Sequence, residues 1–175
     1  GLFGAETTVI YDFAKLINTT TANWYAGPPM NNGRYKHAAT RLADGRVMVS
    51  GGFASGNAST EIFTPAASPT SGSTYGSWTP GPTMLNTRTQ HTTTLLRSGA
   101  VMAIGGYNGT SAMTSIEVLS SPTSTWTALP HSLTTARAMH NSTLLSNVST
   151  DPITHVSIDK VLVTGTYLET FNSSA

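Results

Sequence analysis

Three times along this chain a Trp is followed by an Arg-x-x-His motif and then by a short apolar run that closes on glycine. Trp24, Arg34, His37 and Gly51-Gly52 recur as Trp78, Arg88, His91 and Gly105-Gly106, and more loosely as Trp126, Arg137, His140 and Gly165. Ten residues carry Trp24 to Arg34 and Trp78 to Arg88, and seventeen carry each of those Arg residues to the first glycine. Self-similarity at a period of about 50 residues marks an array of supersecondary units, each too small to bury its apolar face alone. The chain therefore folds as neighbouring copies of one motif stacked on each other.

Each unit reads as four short strands, because apolar residues alternate between clusters of turn formers. In the first full unit the strands are expected at 34–42, 46–51, 59–64 and 77–83. Ala43-Asp44-Gly45 and Arg97-Ser98-Gly99 are hairpin turns, with glycine supplying the positive φ such turns require. The third unit replaces that turn with a longer polar loop, 145–159, so its Arg-to-glycine interval grows to 28 residues. Val47-Met48-Val49, Val101-Met102-Ala103-Ile104 and Val161-Leu162-Val163 are nearly uninterrupted apolar runs, predicted to be buried on both faces. The glycines that follow let a loop pass where a side chain would collide.

This pattern resembles the kelch repeat in the form found in galactose oxidase-like β-propellers. The resemblance is carried by the run from His37 through Asp44-Gly45-Arg46 to Gly51-Gly52, by Thr60-Glu61-Ile62-Phe63-Thr64-Pro65, and by Trp78 followed by Met84. It implies an all-β fold of propeller blades, each of four antiparallel strands. It implies little about function, since the repeat residues build the blade and the fold hosts oxidases, sugar binders and interaction platforms alike. Galactose oxidase-like catalysis requires a tyrosine joined to a cysteine beside copper, and this chain has no cysteine. That cofactor cannot form here.

The two ends read as parts of blades. Gly1-Leu2-Phe3-Gly4 followed by Thr8-Val9-Ile10-Tyr11 parallels Gly106-Tyr107-Asn108-Gly109 followed by Ser115-Ile116-Glu117-Val118, so the chain opens partway through a unit. Leu168-Glu169-Thr170-Phe171 matches a third strand with no Trp-containing fourth strand after it. The expected layout is a single kelch array: a partial blade at 1–33, blades at 34–84 and 88–133, and a partial blade at 137–175. Propellers close with about four to eight blades. Either these residues are a fragment of a longer propeller, or partial blades of neighbouring copies complete each other head-to-tail, giving a ring or a fibre.

Composition sets the surroundings. Charged residues make up 10% of the chain, against about 25% in an average soluble protein, while Ser and Thr supply 50 of 175 residues. A net charge of +1 with scattered ions gives no footprint for nucleic acid. No apolar stretch approaches the roughly 20 residues of a membrane span, and no charged-then-apolar leader opens the chain. Six of the ten asparagines stand in Asn-x-Ser/Thr sequences: Asn18, Asn57, Asn108, Asn141, Asn147 and Asn172. Hydroxyl frequency alone predicts about three. Most fall on expected loops, whereas Asn141 is placed in an expected inner strand. These asparagines read either as turn residues of a hydroxyl-rich chain or as N-glycosylation sites of a secreted protein whose sugars supply the solubility that charge does not. Without cysteine, stability rests on blade packing alone.

The polar residues of the repeat read as architecture. His37, His91 and His140 share one repeat position, and the Arg three residues before each is a poor neighbour for a bound cation, so the pair is expected to bond to backbone or to the adjacent blade. His131 and His155 stand outside the register, in loops. Glu61, Glu117 and Glu169 occupy one position on the third strand and are expected to make blade-to-blade hydrogen bonds or ion pairs; glycosidase chemistry needs two carboxylates facing across one bond, which a blade period does not provide. Trp24, Trp78 and Trp126 precede proline-rich segments that mark outer, edge-like strands, and they are expected to pack between blades. Catalytic, cofactor and metal residues are expected to be absent. The reading is a non-catalytic extracellular glycoprotein scaffold whose partner is another protein or further copies of itself, with a fragment of a galactose oxidase-like or carbohydrate-binding propeller as the alternative.

Overall fold

The computed structural model describes residues 9–11, 24–52, 58–67, 75–145 and 159–165, and among them there is no helix. Within these residues twelve strands form four antiparallel sheets. Strands β1 (Val9–Tyr11) and β2 (Trp24–Ala26) pair with each other. The second sheet runs β3 (Ala38–Arg41), β4 (Val47–Ser50), β5 (Thr60–Pro65), β6 (Gly76–Pro80) in sequence order, and the third repeats it with β7 (Thr92–Leu95), β8 (Val101–Ile104), β9 (Ile116–Leu119), β10 (Trp126–Ala128). The fourth contains β11 (Asn141–Leu145) and β12 (Lys160–Thr164). The middle two sheets are thus the expected four-stranded meanders, with the proline-bearing β6 and the Trp-bearing β10 on their outer edges.

The hairpin joining β3 to β4 is closed by the Leu42 N–H donating to the Arg46 carbonyl and the Gly45 N–H donating to the Leu42 carbonyl, with Gly45 at φ 90°. Leu96, Ala100 and Gly99 repeat this closure between β7 and β8. Between the second and third sheets lies one apolar core of Leu42, Met48, Ile62, Met84, Val101, Ala103, Leu119 and Trp126. Its membership follows from the period of two: Met48 faces forward onto the next sheet, while Val101 and Ala103 face back. Two sheets packed face to face bury what one would leave wet.

One expectation fails. Val47 and Met102 are only partly buried, and Leu162 is 48% exposed, so the central apolar strand is not covered on both faces in every unit. Burial of this strand comes from the sheets on either side, and β12 shows alternate residues exposed.

Candidate functional site

The repeated polar residues of each unit meet in a buried frame. Arg34 lies just ahead of β3, and its Nη2 reaches Glu61 Oε1 on β5 at 2.8 Å, with the side chains 3% and 1% exposed. Arg34 Nη1 donates to the carbonyls of Gly51 (2.8 Å) and Ser59 (3.3 Å), and Nη2 also donates to Ser59 Oγ (3.1 Å). The other lone pairs of Glu61 accept from Asn31 N and Nδ2, both at 2.7 Å, and from Asn32 N at 3.1 Å. The third sheet repeats this frame. Arg88 Nη2 meets Glu117 Oε1 at 2.6 Å, Arg88 Nη1 donates to Gly105 O at 2.6 Å, and Leu85 N and Asn86 N donate to Glu117 at 2.8 and 3.0 Å.

A buried charge is tolerated only when its hydrogen-bonding capacity is used, and here each carboxylate is saturated by a guanidinium and by amides of the segment leading into its own blade. Burial works to raise the Glu61 pKa, but the Arg34, Asn31 and Asn32 donors outweigh it and hold the carboxyl below its ordinary range. Such a carboxylate has no proton to give and no free lone pair to take one. It clamps the inter-blade segment, and removing one partner of such a pair costs about 3–5 kcal/mol. Glu61 and Glu117 are structural, as expected, but their ion pairs lie within one unit and not between blades; Asn31 and Asn86 join the frame although nothing in the repeat spacing signalled them. In the fourth unit Arg137 Nη1 donates to Gly165 O at 3.1 Å; Glu169 lies outside the described residues.

Two of the three repeat histidines sit at seams between sheets, while His37 is exposed. His91 Nε2 is hydrogen-bonded to Ser50 Oγ of the preceding sheet at 2.8 Å, and His140 Nε2 to Thr92 Oγ1 at 3.0 Å. Ser50 corresponds to Ile104 in the next unit, which has no hydroxyl, so His140 turns to Thr92 instead. Burial, then the nearby Arg88 charge, pushes the His91 ring down to about 3; burial and Arg137 also lower that of His140. Both rings are neutral hydrogen-bonding groups near pH 7. His131 is exposed and outside any strand, and His155 lies outside the described residues. No group of three or more His, Asp or Glu side chains able to hold a metal ion occurs among the described residues.

The residue before each histidine has a feature the sequence did not reveal. Lys36, Gln90 and Met139 all adopt positive φ, 57°, 56° and 53°, a conformation uncommon outside glycine. Hydrogen bonds between blades hold it: Gln90 N donates to Lys36 O, and Met139 N to Gln90 O, each at 2.9 Å. Hydroxyls join the inner strands as well, Thr40 Oγ1 to Thr93 O at 3.1 Å and Thr94 Oγ1 to Ser142 Oγ at 2.6 Å. On the outer side, Trp78 Nε1 donates to Pro28 O and Trp126 Nε1 to Pro82 O, tying each blade to the segment before it. The tryptophans pack and bond between units, as expected, and the side chain of Trp24 lies outside the described residues.

Of the acceptor asparagines, Asn108 is exposed in a turn where its Oδ1 accepts from Thr110 N and Ser111 N at 2.9 and 2.8 Å. Asn141 is exposed at the start of β11. Asn18, Asn57, Asn147 and Asn172 lie outside the described residues. No helix among the described residues is long and apolar enough to cross a membrane.

Comparison with known proteins agrees with this geometry. The family model of the Kelch motif matches residues 93–131. The solved structure of YjhT is similar with a TM-score of 0.55 at 14% identity, over 69% of this chain and 34% of that one. This chain thus spans about a third of the length of that structure. A search of curated proteins found no match. With two four-stranded sheets and a two-stranded sheet on either side among the described residues, and a Kelch motif within them, the chain has the fold of an unclosed kelch-type β-propeller.

Proposed function

We propose that this protein is a non-catalytic kelch-repeat scaffold for protein–protein interaction, secreted and N-glycosylated, whose blades at 34–84 and 88–133 are flanked by partial blades at 1–33 and 137–175 that copies complete for one another head-to-tail. The observation that carries this reading is where the repeat's polar residues go: the buried Arg34–Glu61 and Arg88–Glu117 pairs brace each unit with the segment before it, and His91 and His140 bond to the preceding sheet, which leaves the exposed faces and loops for partners. Asn108 and Asn141 are exposed acceptor sites among the described residues, and a chain with 10% charged residues gains solubility from sugars there.

A second reading rests on length. Coverage of 34% of the YjhT structure fits a piece of a longer propeller, galactose oxidase-like or carbohydrate-binding, with its site in other blades. Light scattering with electron microscopy of native, fully glycosylated material separates the two. A ring or fibre of several copies is expected. A compact particle with the mass of one longer polypeptide overturns the scaffold reading in favour of the fragment.

A further inference from the structure

Two asparagines of this chain are followed by glycine, Asn32-Gly33 and Asn108-Gly109. In such a pair the main-chain nitrogen of the glycine can attack the side-chain amide of the asparagine, because no Cβ stands in its way. The two pairs have opposite surroundings. Asn32 belongs to the frame around Glu61. Its N–H donates to Glu61 Oε1 at 3.1 Å, Asn31 before it donates twice more, and Arg34, two residues on and 4% exposed, is locked to the same carboxylate. A backbone fixed on both sides cannot swing its glycine nitrogen onto the side chain.

Asn108 stands in the turn between β8 and β9, and residues 108–111 are all exposed. Its N–H donates to Ser111 O at 3.1 Å, and Tyr107 pairs with Ala112 beneath it, so the turn closes a small hairpin. Thr110 N and Ser111 N both donate to Asn108 Oδ1, at 2.9 and 2.8 Å. Two N–H groups on one carbonyl oxygen draw electrons from Cγ, and they stand where negative charge collects when a nucleophile adds to that carbon. Gly109, at φ 99°, has nothing within 4 Å of the place a Cβ would take, and its N–H bonds to none of the described residues. Nucleophile, activated carbonyl and open space thus meet in adjacent residues.

We infer that Asn108 is a site of spontaneous deamidation, converting to aspartate and isoaspartate wherever its Nδ2 carries no sugar. Water takes the proton of Gly109 N as that nitrogen bonds to Asn108 Cγ. The Thr110 and Ser111 N–H groups hold the oxyanion of the tetrahedral intermediate, and Nδ2 takes up a proton and leaves as ammonia. One water then opens the five-membered imide at either carbonyl: breaking the bond to Cγ gives aspartate, and breaking the bond to the main-chain carbonyl routes the backbone through the side chain as isoaspartate. The net change is one water in and one ammonia out. The product places a carboxylate in the turn, and isoaspartate adds a methylene to a main chain whose neighbour Tyr107 exchanges backbone hydrogen bonds with Thr89 at 2.9 and 2.8 Å. A glycan and this reaction exclude one another, since each uses the same nitrogen.

The test uses the full chain produced without glycosylation and kept for days at neutral pH. Peptide mass spectrometry reads the mass gain at each asparagine, and electron-transfer fragmentation separates isoaspartate from aspartate. Oxyanion donors of this kind are worth about a hundredfold each in enzymes, and a solvated turn realises part of that. In the folded chain, conversion at Asn108 is expected to run about tenfold or more ahead of conversion at Asn32. It is also expected to be no slower than at Asn108 in chain unfolded with guanidinium, where the two pairs, alike in sequence, convert at similar rates. Equal conversion of the two sites in the folded chain, or slower conversion of Asn108 folded than unfolded, overturns the assignment.

Discussion

Among the repeat histidines, His91 is the one whose titration burial changes most. Its ring is buried, bonded to Ser50 and held near pKa 3, whereas in the unfolded chain it titrates near 6.5. Above pH 6.5 both states are neutral and the residue adds no pH dependence. Below it the unfolded chain binds a proton that the folded chain refuses, so stability falls as the pH drops from about 6.5 towards 3, by about 1.4 kcal/mol per pH unit from this one group. His140 is lowered too and acts in the same direction. Glu61, held below its ordinary range, contributes stability that is present above its unfolded pKa and is lost as the pH falls through its folded one, so its effect joins only in stronger acid. His91→Gln keeps a polar partner for Ser50 without the titration. Urea unfolding at pH 7.5, 6 and 5 is expected to show the wild type losing stability steeply over this range and the variant losing about one proton's worth less. Equal slopes would mean that the ring is protonated in the folded state.

At the scale of the strand and its turns, the glycines that follow the second strand show how the backbone decides where blades can touch. A Cβ on Gly106, at φ 102°, would stand 2.7 Å from His91 Cβ and 2.8 Å from Thr89 O; on Gly109, at φ 99°, it would meet nothing within 4 Å. The pair separates conformational cost from collision. Gly109→Ala is expected to destabilise by about 1 kcal/mol, the cost of a side chain at positive φ, and Gly106→Ala by about 2 kcal/mol more, since backbone must shift to admit it. Thermal or denaturant unfolding of the two variants checks the order, and equal losses would show that the approach to Thr89 and His91 relaxes freely. This element was readable in the sequence because a glycine that returns at a fixed repeat position answers a backbone need that no side chain can meet. The hairpins and the edge strands were legible in the same way, whereas the ion pair of each Arg with the Glu of its own unit was not, having been expected between blades. The left-handed Lys36, Gln90 and Met139 were not, because three unlike side chains share a backbone conformation imposed by inter-blade hydrogen bonds. Nor was the exposure of Leu162. A strand of Val and Leu reads the same whether its forward face meets another sheet or solvent, and the difference lies in what stands next to it.

Across the whole molecule, the proposed completion of blades between copies sets a condition on glycosylation. Asn108 and Asn141 are both exposed acceptors, yet they stand in different places. Asn108 lies in a turn between β8 and β9, its carbonyl oxygen already engaged by Thr110 and Ser111, and a sugar on its Nδ2 would extend from a loop. Asn141 occupies the position of Thr92, whose hydroxyl receives the next blade's histidine. A glycan there fills the volume that a docking blade needs. If copies complete one another's partial blades as proposed, Asn141 must be bare wherever the β11–β12 unit is covered by a neighbouring copy, while Asn108 is free to carry sugar throughout. Glycopeptide mass spectrometry on assembled and monomeric fractions of the same preparation is expected to find Asn108 equally occupied in both and Asn141 occupied mainly in the monomer. Removing the glycan from that monomeric fraction should then release it into assembly. Equal occupancy of Asn141 in the two fractions would place the contact between copies elsewhere on the array, since a seam this close-packed has no room for a branched sugar.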